Sequence, residues 1–202
     1  MAVTPETYPN STVFVNILGI TDSPKLVEAE ADYSAVQHEI YRVKPLPATF
    51  DLKHLQAIHR QLFGDIYEWA GELRGYDIRK GICEFTPYPQ IEYFAGEVYK
   101  ALQDEDYLRD LSLETVIERL AYYYDTTNRL HPFPEGNGRA QRLLIEHLAA
   151  NAGYLTDWAQ VPPWQVVEVA VQSFEGNFEP TIMMFENITS LMSSHSTWVA
   201  KT

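Results

Sequence analysis

The alternation of apolar and polar positions along the chain predicts a predominantly helical protein. Apolar residues recur at the three- and four-residue spacing of amphipathic helices in most of the sequence, and prolines or capping residues separate the segments. Asp22 or Ser23, Asp51 and Ser112 each stand where a helix N-cap is expected. The predicted helices begin near Pro24, Leu52, Ile91, Leu113, Arg139, Pro163 and Ile182.

The apolar periodicity also predicts which helix faces are buried. In the first helix the predicted buried stripe comprises Leu26, Ala29, Tyr33, Val36 and Ile40. In the second helix two histidines, His54 and His59, lie five positions apart and therefore point to different faces. This spacing favours solvated or hydrogen-bonded histidines over a pair of metal ligands.

The remaining segments are predicted to be non-helical. Residues 76–85 alternate in polarity about Lys80-Gly81, which predicts one small β-hairpin. Residues 1–20 are interpreted as an irregular arm, and residues from about 193 onward as a frayed tail. We therefore expect an all-α bundle with one hairpin, folded as a single domain over residues 1–202.

Composition and charge exclude several classes of function. The chain has 202 residues, a formal net charge of -13 and one cysteine, Cys83. This acidic balance argues against sequence-independent binding of nucleic acids and of anionic membranes, because both need clustered Lys and Arg. The start of the chain lacks the basic and apolar regions of a signal peptide, and no apolar run is long enough to span a bilayer. These features lead us to expect a cytoplasmic protein.

The densest chemistry lies between His131 and Arg142. Pro132 and Pro134 keep the chain extended, and Gly136 and Gly138 then lead into a helix, so a glycine-rich turn meets a helix N-terminus. Backbone amides in the first turn of a helix lack intrahelical partners and attract anions. This segment is typical of a phosphate-binding site.

The side chains of this segment extend the prediction to a nucleotide polyphosphate. Arg139 and Arg142 lie three apart on one helix face and can bind phosphate oxygens, while Asn137 adds a side-chain donor. Glu135 supplies an oxygen ligand for Mg²⁺, which commonly takes one or two carboxylates plus substrate phosphates. The imidazole of His131 is mostly neutral near pH 7 and can accept a proton from a hydroxyl.

These residues match the pattern H-x-F-x-[D/E]-G-N-G-R-x-x-R, which resembles the signature of Fic domains. Glu135 takes the acidic position where Asp is commoner, and residues 62–71 also look like the segment that precedes the hairpin in such proteins. The resemblance implies a Fic-fold enzyme that uses ATP and Mg²⁺ to transfer AMP to a Ser, Thr or Tyr hydroxyl of a target protein.

The resemblance also implies a role for each motif residue. His131 is the expected base and Glu135 the metal ligand, while Phe133 anchors the loop in the core. The phosphates are expected to contact Glu135, Gly136, Asn137, Gly138, Arg139 and Arg142. The hairpin, residues 76–85, corresponds to the flap that covers the active site in the family, with Lys80 and Gly81 as candidate contacts to the target.

Fic proteins are commonly restrained by a helix that bears [S/T]-x-x-x-E-[G/N], whose Glu pairs with the second motif arginine. Glu135, Glu175 and Glu186 precede Gly or Asn here, but none follows Ser or Thr at the required spacing. We therefore expect a separate small antitoxin to supply the inhibitory glutamate to Arg142. Residues 16–22 also look like those of stand-alone toxins of this family.

Two alternatives remain open at this point. Fic-fold relatives transfer UMP, phosphocholine or phosphate, and pocket residues outside the motif decide which group is moved. A non-catalytic nucleotide-binding module is the second alternative. The target protein, the adenine-pocket residues and the oligomeric state do not follow from the sequence.

Overall fold

The computed structural model describes residues 2–192, and most of this chain is helical. The helices are α1 (Ser23–Val43), α2 (Leu52–Phe63), α3 (Ile91–Asp104), α4 (Leu113–Leu130), α5 (Asn137–Asn151), α6 (Pro163–Phe174) and α7 (Glu179–Ile188). The strands are β1 (Arg79–Lys80), β2 (Cys83–Glu84), β3 (Tyr154–Thr156) and β4 (Thr189–Leu191). The predicted helical fold is confirmed. The predicted frayed tail lies outside the described residues.

Local capping explains where the helices begin. Asp22 accepts a hydrogen bond from the backbone N–H of Lys25 at 3.1 Å, and Asp51 accepts one from His54 at 2.8 Å. Each cap satisfies a donor that the first helical turn leaves without a partner. Helix α5 begins at Asn137, earlier than the predicted Arg139, because Gly136 with a φ of 77° serves as its N-cap.

The centre of the molecule is formed by α5, which packs against both α2 and α4. Their apolar side chains are buried, and the segment between α4 and α5 therefore emerges inside the bundle rather than at its surface. The motif is thus fixed at both ends by core helices.

No helix within residues 2–192 combines the length and the hydropathy that a bilayer crossing requires.

Three of the five residues in the predicted buried stripe of α1 are exposed. Tyr33, Val36 and Ile40 are 40%, 61% and 47% exposed, whereas the buried positions of this helix are Leu26, Glu30, Ser34 and Tyr41. The inward face of α1 includes polar groups, because Glu30 and Tyr41 form hydrogen bonds with residues from distant parts of the chain. A pattern based on hydropathy alone selects the opposite face.

The predicted hairpin is present, and the structure adds a second antiparallel pair. In the flap, Arg79 pairs with Glu84 and Lys80 with Cys83, with the turn at Gly81. The final helix, α7, ends at Ile188, and the residues that follow form β4, which pairs with β3. The backbone of Thr189 is extended, which allows this short pairing.

Candidate active site

The motif begins where α4 ends in a left-handed residue. His131 has φ 42° and ψ 57° and caps α4 with its backbone N–H bonded to Thr127. Phe133 is fully buried, as the sequence predicted for a core anchor. The side chain of Asn137 accepts from the backbone N–H of Phe133 and donates to its carbonyl, both at 2.8 Å. The Asn137 amide therefore closes the loop on itself, and this sharp turn links the end of α4 to the start of α5.

Gly136 is the position where the loop cannot carry a side chain. Its φ of 77° lies in the left-handed region, and a Cβ at this position would lie 2.5 Å from Cε2 of Phe63 and 3.1 Å from Nε2 of His59. Gly138 is less constrained, since a Cβ there would approach only the guanidinium of Arg142 at 3.4 Å. The first glycine shapes the turn, while the second leaves space next to an arginine.

His59 of α2 contacts the backbone of the same loop. Its Nδ1 accepts from the backbone N–H of Gly71 at 2.9 Å, and its Nε2 lies 2.9 Å from the carbonyl oxygen of Glu135. Because a carbonyl can only accept, Nε2 carries the hydrogen and the ring is held in one neutral tautomer. Burial lowers the pKa of His59 to about 3, partly offset by the bond to Glu135. The histidine is thus hydrogen-bonded, as predicted, and it positions the backbone of the motif.

The imidazole of His131 lies beneath the flap. The ring of Phe85 stacks on it, with centroids 3.8 Å apart and planes inclined by 17°. Both ring nitrogens are buried, and within residues 2–192 neither makes a well-aligned hydrogen bond. Burial and the nearby ammonium of Lys80 lower the pKa of His131 to about 3, despite a smaller opposing effect of the Asn128 backbone. The ring is therefore neutral at physiological pH and able to accept a proton.

The two motif arginines have different surroundings. The guanidinium of Arg139 donates to the buried carboxylate of Glu30 and lies 4.6 Å over the ring of Phe63. Arg142 makes neither an ion pair nor a hydrogen bond with any residue between 2 and 192, and its guanidinium lies 6.0 Å from the centroid of Trp158. Arg139 is oriented by a carboxylate, whereas Arg142 keeps its donors available.

A groove of about 330 Å³ contains both arginines. Its walls include small or apolar residues of α1 and α2, namely Ala31, Ala35 and Leu62. Burial, opposed by Tyr124 and reinforced by the charge of Arg139, lowers the pKa of Arg142. An arginine guanidinium remains protonated in folded proteins. Arg139 is paired with Glu30, and the carboxylate of Glu146, bonded to His38, also lines the groove, so Arg142 is the cation of the groove without a carboxylate partner among residues 2–192.

Glu135 lies at the mouth of the loop and is partly exposed. Its Oε1 accepts from the backbone N–H of Gly136 at 2.9 Å, and its second oxygen has no hydrogen-bond partner among residues 2–192. Within the described chain no three acidic, histidine or cysteine side chains gather into a self-sufficient metal site. One carboxylate with a free oxygen suits a Mg²⁺ ion whose other ligands are phosphates and water.

The structure brings together most of the residues predicted for the site. His131 and residues 135–142 lie in one loop and helix start, and Lys80 is close enough to affect the pKa of His131. Gly81 forms the flap turn with φ 60° and has open space around its Cα.

Sequence reasoning missed Glu30, Arg74 and Phe85, and gave His59 no specific role. Only His59 had a usable signal, because it interrupts the apolar face that Leu55 and Phe63 form on α2.

Comparison with known proteins agrees with this geometry. Residues 49–149 match the model of the Fic/DOC family. The probable protein adenylyltransferase Fic of Salmonella typhimurium is 42% identical over 154 residues, which cover 76% of each chain. The probable protein adenylyltransferase Fic of Escherichia coli is 34% identical over 92% of each chain. The chain belongs to the Fic/DOC family.

A further relative is longer than this Fic/DOC chain. The protein adenylyltransferase VbhT of Bartonella schoenbuchensis is 39% identical over 173 residues, which span 86% of this chain but only 36% of that protein. The predicted enzyme class, a protein adenylyltransferase, is confirmed by these relatives.

Solved structures show the same fold. The BepC protein of Bartonella tribocorum with bound AMPPNP has a TM-score of 0.90 at 29% identity, covering 93% of this chain and 97% of that one. The N-terminal Fic domain of a putative cell filamentation protein of Bartonella quintana, with bound ADP, has a TM-score of 0.87 at 28% identity. That alignment covers 93% of this chain and 95% of the other. Both of these Fic-fold proteins therefore carry an adenine nucleotide.

Proposed function

We propose that this Fic domain transfers AMP from ATP to a Ser, Thr or Tyr hydroxyl of a target protein, with His131 as the general base. The observation that carries this proposal is the neutral imidazole of His131, whose nitrogens have no well-aligned protein partner in the described chain and whose backbone begins the loop that leads from α4 into the N-terminus of α5. A base catalyst needs an available lone pair within reach of the hydroxyl proton.

AMP transfer needs no reactant other than ATP and the target hydroxyl. The target oxygen attacks the α-phosphorus of ATP, the bond to the bridging oxygen of the β-phosphate breaks, and pyrophosphate leaves. The hydroxyl proton passes to His131. The pKa of about 3 makes the ring a weak base, so proximity and stabilisation of phosphate charge contribute most of the rate enhancement.

The start of α5 supplies the groups that hold the phosphates. The backbone amides of Asn137 and Gly138 lie in its first turn, where a helix favours anions. Arg139 is assigned to the β-phosphate end and Arg142 to the γ-phosphate. Glu135 would hold Mg²⁺, which when bound neutralises charge on the phosphate oxygens. The side chain of Asn137 contributes through loop geometry, because Phe133 already engages its amide.

The flap is proposed as the docking edge for the target. Its strands are only two residues long, and Arg79, Lys80 and Glu84 are exposed. An extended peptide can extend such a pair by backbone hydrogen bonds. Docking at Lys80 and Gly81 would bring a hydroxyl close to His131, since Phe85 of the same hairpin stacks on that ring.

A small antitoxin is the proposed regulatory partner. Glu146, the carboxylate one helical turn beyond Arg142, bonds to His38 at 3.0 Å instead of pairing with Arg142. The groove beside Arg142 has the apolar walls and the positive charge that a helix bearing one glutamate would fit. Such a glutamate would occupy the position assigned to the γ-phosphate.

Mass spectrometry after incubation of a lysate with this protein and Mg-ATP tests the activity. The expected adduct on the target is AMP, and replacing ATP with UTP should give no adduct. His131→Ala should lower transfer by about 10²- to 10⁴-fold while ATP binding, measured by calorimetry, stays within a few-fold. A different adduct, or transfer unchanged in His131→Ala, would overturn the proposal.

Growth assays test the regulatory partner. Expression of the wild-type chain alone should arrest growth, whereas His131→Ala should not. Co-expression with the neighbouring small reading frame should restore growth, and Arg142→Ala should abolish the binding of its product. Full tolerance of an enzymatically active chain would contradict the toxin assignment.

A further inference from the structure

Arg74 is a buried arginine to which neither the motif nor the preceding sections assign a function. It lies between α2 and β1, and its exposed fraction is 0%. It is the largest fully buried side chain within residues 2–192. Arginine is rarely buried unless all of its donors are satisfied, so the identity of its acceptors indicates its function.

All acceptors of the Arg74 guanidinium are backbone carbonyls. Nε donates to His131 at 2.8 Å, and Nη1 donates to Tyr76 at 2.6 Å. Nη2 donates to both Thr86 and Leu130. The nearest carboxylate belongs to the exposed Asp77 at 3.8 Å, so carbonyl dipoles provide most of the compensation for the buried charge.

These acceptors come from two elements that must meet at the site. Tyr76 begins the flap and Thr86 directly follows it, while Leu130 and His131 form the end of α4. The backbone N–H of Arg74 also donates to the carbonyl of Pro132 at 2.8 Å. Arg74 therefore joins both ends of the flap to the backbone of the predicted base.

Besides Arg74, a few direct contacts connect the flap to the end of α4. Thr86 bonds to the carbonyl of Arg129 through its backbone N–H at 2.9 Å and through its hydroxyl at 3.0 Å. Phe85, next in the chain, stacks on the imidazole of His131. The left-handed backbone of His131 is unfavourable for a residue with a Cβ, and the bond from Arg74 to its carbonyl stabilises that conformation.

We propose that Arg74 is a positioning residue for AMP transfer, which fixes the flap and the imidazole of His131 in one arrangement. This inference rests on the proposed function, because it assigns the geometry of the same site. Lysine cannot replace arginine here, since a single ammonium cannot reproduce a planar fork directed at four carbonyls.

The proposal predicts a separation between chemistry and nucleotide binding. Within residues 2–192 Arg74 makes no hydrogen bond or ion pair with α5, so Arg74→Lys should keep the affinity for ATP within about twofold. The turnover rate for AMP transfer should fall at least tenfold, and the KM for the target protein should rise, because the flap loses its register over the base.

NMR provides a readout that does not depend on activity. Stacking under Phe85 shifts the Cε1–H proton of His131 upfield, and Arg74→Lys should move this resonance towards its ordinary position. Tyr41→Phe is the matched control, because it disrupts a buried polar network away from the site. It should lower stability but leave the resonance and the turnover rate unchanged.

Hydrogen exchange of the wild-type protein keeps the proposal testable if Arg74→Lys fails to fold. After each exchange rate is divided by its intrinsic rate, the amides of Arg74 and Thr86 should give the same free energy of opening, since both belong to the same junction. An inactive wild-type chain would refute the proposed function without affecting this result. Independent exchange of the two amides would overturn the positioning role, as would a folded Arg74→Lys protein with wild-type turnover and an unshifted His131 resonance.

Discussion

Arg139 donates a hydrogen bond to Glu30, a residue 109 positions earlier in the chain. Glu30 is 6% exposed, and the hydroxyl of Tyr67 donates to its other oxygen. A carboxylate held at both oxygens fixes the guanidinium that is assigned to the β-phosphate, so α1 supports the proposed phosphate site from outside it.

Glu30→Gln should weaken binding of ADP and ATP but not of AMP. The substitution keeps the size of the side chain but removes the charged acceptor of Arg139, and a hydrogen bond to a charged group contributes about 1.5–3 kcal/mol. We expect roughly a tenfold or larger rise in Kd for the di- and triphosphate, measured by calorimetry. The exposed Glu28→Gln is the control, and an equal loss for AMP would contradict the assignment.

Gly136→Ala should destabilise the fold and abolish nucleotide binding. The left-handed φ and the clash of a Cβ with Phe63 together should cost at least about 2 kcal/mol in the free energy of unfolding. Denaturant titration measures this cost. Gly19→Ala is the matched control, because Gly19 also has positive φ, at 68°, but open space. Equal losses in the two variants would show that the clash with the ring is unimportant.

Lys80→Met should raise the pKa of His131 without restoring its ordinary value. The ammonium of Lys80 is the second cause of the low pKa, and burial, the first cause, remains. NMR titration of the nucleotide-free protein measures the change. Arg79→Met, the neighbouring flap cation, should leave the titration unchanged. In both variants the ring stays neutral at pH 7, so a loss of transfer in Lys80→Met would report on target docking.

The free energy of unfolding should fall on acidification below about pH 6.5, the reference pKa of histidine. The hydroxyl of Tyr41 lies 2.8 Å from Nε2 of His54 and 2.7 Å from Nδ1 of His147, and burial lowers the pKa values of these histidines to about 3 and about 4. The unfolded chain therefore binds protons at a pH where the native network does not, which favours unfolding.

His147 alone accounts for a measurable share of the pH dependence of the free energy of unfolding. His147→Gln should reduce the loss of stability between pH 7.5 and 5.5 by about 1.4 kcal/mol, as measured by denaturant titration at both pH values. His38→Gln should act in the opposite sense, because the pKa of His38 is raised and its contribution is lost as the pH rises. Identical pH dependence in the three proteins would exclude this origin.

Local signals explain which features could be predicted from sequence. The caps Asp22, Asp51 and Ser112 and the glycines of the motif act within a few residues, so helix starts and the catalytic loop were predictable. The inward face of α1 was not predictable, because Glu30 is buried by a partner from another helix. Arg74 gave no signal, since its acceptors are backbone atoms that converge only in the folded chain.

The reliance of Arg74 on main-chain oxygens has an evolutionary consequence. Side-chain replacements at Tyr76 and Leu130 leave their carbonyls in place, so drift at these positions does not break the junction. Position 74 has no such freedom. Among chains that keep an active motif, we expect arginine at this position to persist while the identities of its acceptor residues diverge.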